Sequence, residues 1–184
     1  MQWRSRRYCS HVYALSELPE ALVDAALDRE LRALLCACFT EPEDHVFRER
    51  RYFREPPAHR WLLRDTEGEL VAHTALHFKE LTTGDHRVAI GGVAEVCVRA
   101  EHRRRGLAKR MLDAVDRLLI ERGTPLAVLF GDPRIYRSSG YRTVDNLFYR
   151  DPDRTRWLSG DGMVKELAPG CWPRAPAYLD GPTF

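Results

Sequence analysis

The chain has 184 residues, a formal net charge of +2, 44% hydrophobic and 30% charged residues, the profile of an ordinary soluble globular chain. That length suits one domain spanning 1–184 with a sizeable core. A charge this close to neutral argues against a nucleic-acid partner, and no run of about 18 apolar residues is present to span a membrane. The N-terminal Met-Gln-Trp-Arg-Ser-Arg-Arg lacks the apolar stretch of a signal peptide, so the cytoplasm is the expected compartment. Cys9, Cys36, Cys38, Cys97 and Cys171 are odd in number and contain no Cys-x-x-Cys pair, which argues against a disulfide framework or zinc site and for reduced, small, buried residues.

In chain order, Tyr8–Leu15 alternates weakly and is expected to be a first strand. A helix is expected from about Pro19 to Cys38, where Leu27, Leu31, Leu34, Leu35 and Cys38 form one stripe and Pro19 suits a first turn. Thr40–His59 is charged and carries Pro42, Pro56 and Pro57; it reads as a long surface loop with room for a short helix, and such loops are often functional. Trp61–Arg64, Leu70–Leu81 and Arg87–Val98 read as strands joined by turns at Glu67-Gly68-Glu69 and Thr82–Asp85. Gly91-Gly92 inside the last of them signals a bulge or a splay.

The clearest helix opens at Gly106. Leu107, Met111, Val115 and Leu118 define its apolar face, Ala108, Leu112 and Leu119 widen it, and Lys109, Asp113, Asp116 and Arg117 cover the polar side. Gly123 and Pro125 end it. Leu126–Phe130 is a short apolar strand suited to a sheet interior. Asp132-Pro133 starts a short helix that stops at Gly140. Strands are expected near Tyr141–Phe148 and Met163–Leu167. The tail Ala168–Phe184 reads as irregular but packed through Cys171, Trp172 and Tyr178.

One segment combines a strand, an arginine turn and a helix start: Val96-Cys97-Val98, then Arg99 to Arg105, then Gly106-Leu107-Ala108. The first amides of a helix have no intrahelical partner, and the helix dipole adds about half a positive charge there. Gly106 and Ala108 allow close approach to the backbone, and Arg103 and Arg105 add charge, so a pyrophosphate is the natural ligand. A solvated basic turn is the bland alternative, and it is also how the Arg4–Arg7 and Arg48–Arg54 runs read; the second run could instead border an acceptor site.

Arg103-Arg104-Arg105-Gly106-Leu107-Ala108 resembles the Gln/Arg-x-x-Gly-x-Gly/Ala signature of the GNAT superfamily, the Gcn5-related N-acetyltransferases. Tyr136-Arg137-Ser138-Ser139-Gly140-Tyr141 resembles the family's downstream Tyr-x-x-x-Gly-Phe/Tyr segment, and Phe130-Gly131-Asp132-Pro133 its Gly-Asp-Pro stretch. More faintly, Val71–Asp116 and the Trp-containing tail resemble aminoglycoside acetyltransferases and nodulation acyltransferases, a likeness that places the Phe184 carboxylate at the acceptor site.

The resemblance covers about 61–167 and implies an α/β (α+β) fold, a twisted, mixed, mostly antiparallel sheet flanked by helices. It implies acetyl-CoA as co-substrate, an amine acceptor, no metal, and homodimers as a common state. Val96, Cys97, Val98, Arg103, Arg104, Arg105, Gly106, Leu107, Ala108 and Tyr136 would contact CoA. The pantetheine arm would lie where Arg87–Val98 and Leu126–Phe130 diverge.

The implied reaction is direct attack by an amine on the thioester. Neutralising a lysine-like amine at pH 7 costs about 4.6 kcal/mol, so a base or a desolvating pocket is needed. Amides around Val96–Val98 would hold the oxyanion. Tyr136 would return a proton to the leaving sulfur, or else pack under the adenine or pantetheine arm. For the base, Glu95 is one candidate, with a solvent-facing Glu near a sheet edge as its alternative. His73 and His77 share a strand face and are either a base pair, acceptor-site lining, or structural. Readings beyond acetyl transfer are transfer of a longer acyl group and a non-catalytic CoA-binding regulatory domain.

Overall fold

In the computed structural model, residues 13–150, 155–179 and 181–184 are described. Arg4–Arg7 and most of the expected first strand lie outside them; the strand seen, β1, is Ala14–Pro19. Pro19 therefore ends a strand and does not open a helix: its ψ of 146° is extended. A 3₁₀ turn, Glu20–Leu22, intervenes before α1, Ala25–Cys38. Asp24 sets that start, because its carboxylate accepts from the amides of Ala26 and Leu27 at 3.0 and 2.8 Å, as a good N-cap does. A second 3₁₀ stretch, Pro42–Arg48, is the short helical piece of the expected loop.

Strands β2 (His59–Arg64), β3 (Leu70–Thr83) and β4 (His86–Val98) form an antiparallel meander. From β4 the chain passes through α2 (Leu107–Glu121) to β5 (Leu126–Phe130), which pairs in parallel with β4. After α3 (Pro133–Tyr136) come β6 (Arg142–Thr143), β7 (Leu147–Arg150), β8 (Trp157–Ser159), β9 (Gly162–Glu166) and β10 (Ala177–Leu179). Over the described residues all ten strands belong to one sheet, in the order β6-β9-β5-β4-β3-β10-β7-β8, with β2 on the edge of β3 and β1 on β2. The tail is thus not wholly irregular: β10 lies antiparallel to β3 and parallel to β7. Asn146 anchors the approach to it, donating to the carbonyls of Pro173 and Ala175 and accepting from the Trp172 indole.

The helices cover opposite faces. On one, Leu31, Leu34 and Leu35 of α1 pack with Phe47 on Leu62, Leu70 and Cys97. On the other, Leu107, Met111, Val115 and Leu119 of α2 pack on Trp61, Leu63, Leu76 and Val93. Burying each such side chain contributes roughly 1.5–3 kcal/mol. Asp116 departs from the expected polar face of α2: it is buried and pairs with Lys165 of β9, because β9 supplies a cation that helical periodicity alone does not reveal. No helix among the described residues is long and apolar enough to cross a membrane.

The two glycines of β4 make room for neighbours. A Cβ on Gly91 would lie 2.5 Å from a Leu119 methyl, and one on Gly92 2.5 Å from the Phe184 ring. The bulge expected there lies three residues further on. Register runs from Ala75 opposite Ala94 to His73 opposite Cys97, so β4 spends three residues where β3 spends two, and Glu95 takes φ +53°. The splay also begins here: β4 and β5 pair only over Ile90–Gly92.

Candidate active site

A cleft of about 570 Å³ is lined by the β4 segment Val96–Val98, beyond its pairing with β5, by the start of α2 and by Tyr136. At the start of α2, the first intrahelical bond is from the Arg110 amide to the Gly106 carbonyl, which leaves the amides of Leu107, Ala108 and Lys109 without helical acceptors. Among the described residues no side chain caps this end, in contrast to α1 and α3, which are capped by Asp24 and Asp132. Arg104 at φ +61° and Gly106 at φ +73° bend the turn. Backbone of that curvature makes an anion-binding concavity.

Arg103, Arg104, Gly106, Leu107 and Ala108 all line the cleft. Arg105 does not: its guanidinium donates to the Tyr13 hydroxyl at 2.8 Å and to the Glu101 carbonyl at 3.2 Å. In this arrangement the Arg105 side chain, expected among the CoA contacts, braces the turn. Tyr13 is held in turn by His102 at 3.0 Å. A larger depression of about 840 Å³ lies elsewhere, around Arg142, Asn146 and Trp172. It contains none of the motif residues and no free helix start.

Tyr136 is mostly enclosed, with its ring against Gly131, where a Cβ would approach to 2.7 Å. That contact explains the glycine before Asp132. Burial raises the phenol to about 12, with the nearby Cys97 adding to the effect.

Glu95 is not solvent-facing. Its side chain is 4% exposed, and its carboxylate accepts from the Phe53 amide at 2.8 Å and from Arg60 at 3.3 Å. Burial pushes its carboxyl up to about 7 against the opposing pull of Arg60. The residue is held in a left-handed conformation that a non-glycine side chain adopts only at a cost. Its neighbour Val96 lines the cleft.

Arg60 is the hub that sequence reading missed. Fully buried, it donates to His73 Nε2 at 3.0 Å, to Glu95, to the Arg51 carbonyl at 3.1 Å and to Glu20. Since His73 Nε2 accepts, Nδ1 carries the proton and donates to the Glu95 carbonyl at 3.2 Å. Burial and Arg60 together hold His73 well below the usual histidine range, so it is neutral with both nitrogens engaged. His77 is separate: its ring stacks on Phe184 with centroids 5.8 Å apart, and burial lowers it to about 4. The Arg48–Arg54 run is not a merely solvated face either. Arg51 is partly buried and bridges Glu20 at 2.7 Å and Asp28 at 2.9 Å. No local spacing in the sequence marks Arg60, because its partners come from four separate segments.

Cys38 and Phe39, at the end of α1, also line the cleft. Nothing in the helical pattern of α1 announces that its C-terminal end reaches this far.

Comparisons with known proteins bear on the fold and the family. The family described as acetyltransferase (GNAT) domain matches residues 24–144. A search of curated proteins finds no match. Among solved structures, the GNAT family N-acetyltransferase YhbS of Escherichia coli, in complex with CoA, superposes with a TM-score of 0.65 at 19% identity, covering 96% of this chain and 92% of that one. E. coli ElaA gives 0.58 at 15% identity, covering 84% of this chain and 100% of that one. Eis1 of Mycobacterium abscessus gives 0.58 at 20% identity, covering 73% of this chain and 32% of that one. These likenesses establish the fold, and the match over 24–144 establishes the family: the chain belongs to the GNAT acetyltransferase domain family.

Proposed function

We propose that the protein is an acetyl-CoA-dependent N-acetyltransferase that acts on a primary amine of a small molecule or protein. The observation that carries this reading is the uncapped start of α2, rimmed by Arg103 and Arg104, opening into the same cleft as Tyr136 and the β4 edge. Free amides and a positive helix end suit a pyrophosphate. The β4 segment Val93–Val98 has no partner on its β5 side among the described residues, so its edge is open to a strand-like pantetheine arm and to the thioester oxygen. The CoA bound in the E. coli YhbS structure accords with this reading.

The chain's own groups then divide the proton transfers. Glu95, enclosed beside the cleft with its carboxyl near 7, takes the amine proton through water, since a base works best near the operating pH. The amine nitrogen forms its bond to the acyl carbon while the β4 amides hold the oxyanion. The carbon–sulfur bond breaks, and Tyr136 gives its proton to the departing sulfur. A phenol at about 12 is a weaker acid than a free thiol, so the proton passes as the carbon–sulfur bond breaks and positioning of the two groups has to cover the gap.

The test is release of free thiol on mixing the protein with acetyl-CoA and a panel of amines. Amine-dependent release supports the proposal. CoA binding with no release from any amine would assign a non-catalytic CoA-binding domain, and release only with longer acyl-CoA would change the donor.

A further inference from the structure

Two cysteines that the proposed reaction does not use meet in the cleft. Cys38 is the last residue of α1 and Cys97 lies on β4. Both line the cleft, and Cys38 packs on the cluster that contains buried Cys97. We propose that this pair is a redox modification site: a hydroperoxide oxidises Cys38, Cys97 resolves it to a Cys38–Cys97 disulfide, and the bridge closes the cleft to CoA. The last step rests on the reading that this cleft holds CoA; the disulfide itself does not.

The two thiols are unequal in the manner such chemistry needs. The neighbouring Cys97 thiol, with Arg103 and Arg99 near enough to favour a negative sulfur, lowers Cys38 to about 7 despite partial burial. Cys97 is held well above the usual thiol range by the neighbouring Cys38 and by complete burial. Cys38 is therefore the nucleophile and Cys97 the reserve. The Cys38 thiolate attacks the distal peroxide oxygen, the O–O bond breaks, and an alcohol or water leaves with the proton. Cys97 then attacks the sulfenic sulfur and expels water, so the two thiols supply the two electrons that the peroxide takes up. Cys36 is no competitor, because residues two apart on a helix do not face one another.

A bonded sulfur pair sits at about 2.05 Å, against the wider non-bonded contact of two thiols. Forming that bond draws the β4 edge and the end of α1 together across the cleft, and a shift of about 1 Å is enough to misalign a site. The same linkage runs backwards: CoA in the cleft disfavours the disulfide form by the same factor.

The experiment treats the full chain with hydrogen peroxide, maps disulfides by peptide mass spectrometry, and measures CoA affinity by calorimetry before oxidation, after it, and after dithiothreitol. The expected result is a Cys38–Cys97 peptide and a loss of CoA affinity of about tenfold or more, restored by reductant. In Cys38→Ser, whatever its own affinity, peroxide leaves that affinity unchanged, whereas Cys171→Ser responds like wild type. Absence of the Cys38–Cys97 peptide, or its presence with undiminished CoA affinity, overturns the proposal. Failure of the reduced protein to bind CoA at all would instead refute the reading of the cleft.

Discussion

Replacing Glu95 by Gln removes a titration whose size follows from the structure. The carboxyl rises from 4.5 to about 7 on folding because it is buried. At about 1.4 kcal/mol for each tenfold, that is about 3 kcal/mol. The native state binds this proton more tightly than the unfolded chain does. The contribution is therefore full below pH 4.5 and is lost as pH rises to about 7. The stability of wild type relative to Glu95→Gln should fall by about 3 kcal/mol across that window, measured by urea unfolding at a series of pH values. The activity limb has the opposite sign: kcat/KM of wild type should climb toward a plateau above pH 7 as the carboxylate appears. Glu95→Gln should lose that limb and on the order of 10²–10⁴ in rate. A stability difference that is flat with pH would show that Glu95 titrates like an exposed carboxylate. A limb that survives in the variant would place the base elsewhere.

Other expectations follow from single contacts. Tyr136→Phe should bind CoA as wild type does and lose on the order of 10²–10³ in kcat; an unchanged kcat in steady-state assays would remove it from proton transfer. Arg60→Met should cost roughly 3–5 kcal/mol in denaturant unfolding, because Glu95 loses its buried counter-charge and Glu20 keeps only Arg51. If the variant remains folded, its activity limb should move to higher pH, since Arg60 opposes the rise at Glu95. Gly91→Ala should cost about 1–3 kcal/mol, because its Cβ would meet fully buried Leu119 at 2.5 Å and an overpacked core yields little; thermal unfolding reports it.

Local chemistry carried much of the fold. Gly106, Gly123 and Pro125 bracket α2 because left-handed residues and a missing amide act where they stand, and Leu126–Phe130 is apolar throughout because both its faces are covered. Pro19 misled, since a proline suits an extended strand end as readily as a first helical turn, and the stronger cap, Asp24, decided the start of α1. β10 was illegible because three residues gain strand character only from the edges of β3 and β7. In the site, the arginine turn and Tyr136 were readable from spacing. The Arg60 hub and the meeting of Cys38 with Cys97 were not, since each depends on residues that only the folded sheet brings together. Arg105 fits the motif by position, while its side chain answers to Tyr13, a partner 92 residues away.

The proposed CoA site depends on the free amides at the start of α2. Gly106 is exposed, with nothing among the described residues within 4 Å of where a Cβ would be, so Gly106→Glu adds a carboxylate at the cradle at a backbone cost of about 1 kcal/mol. Calorimetric titration of CoA into wild type and into this variant, with circular dichroism to confirm that both are folded, tests that directly. The expected result is binding by wild type and none measurable by the folded variant; equal affinity in the two would contradict the account.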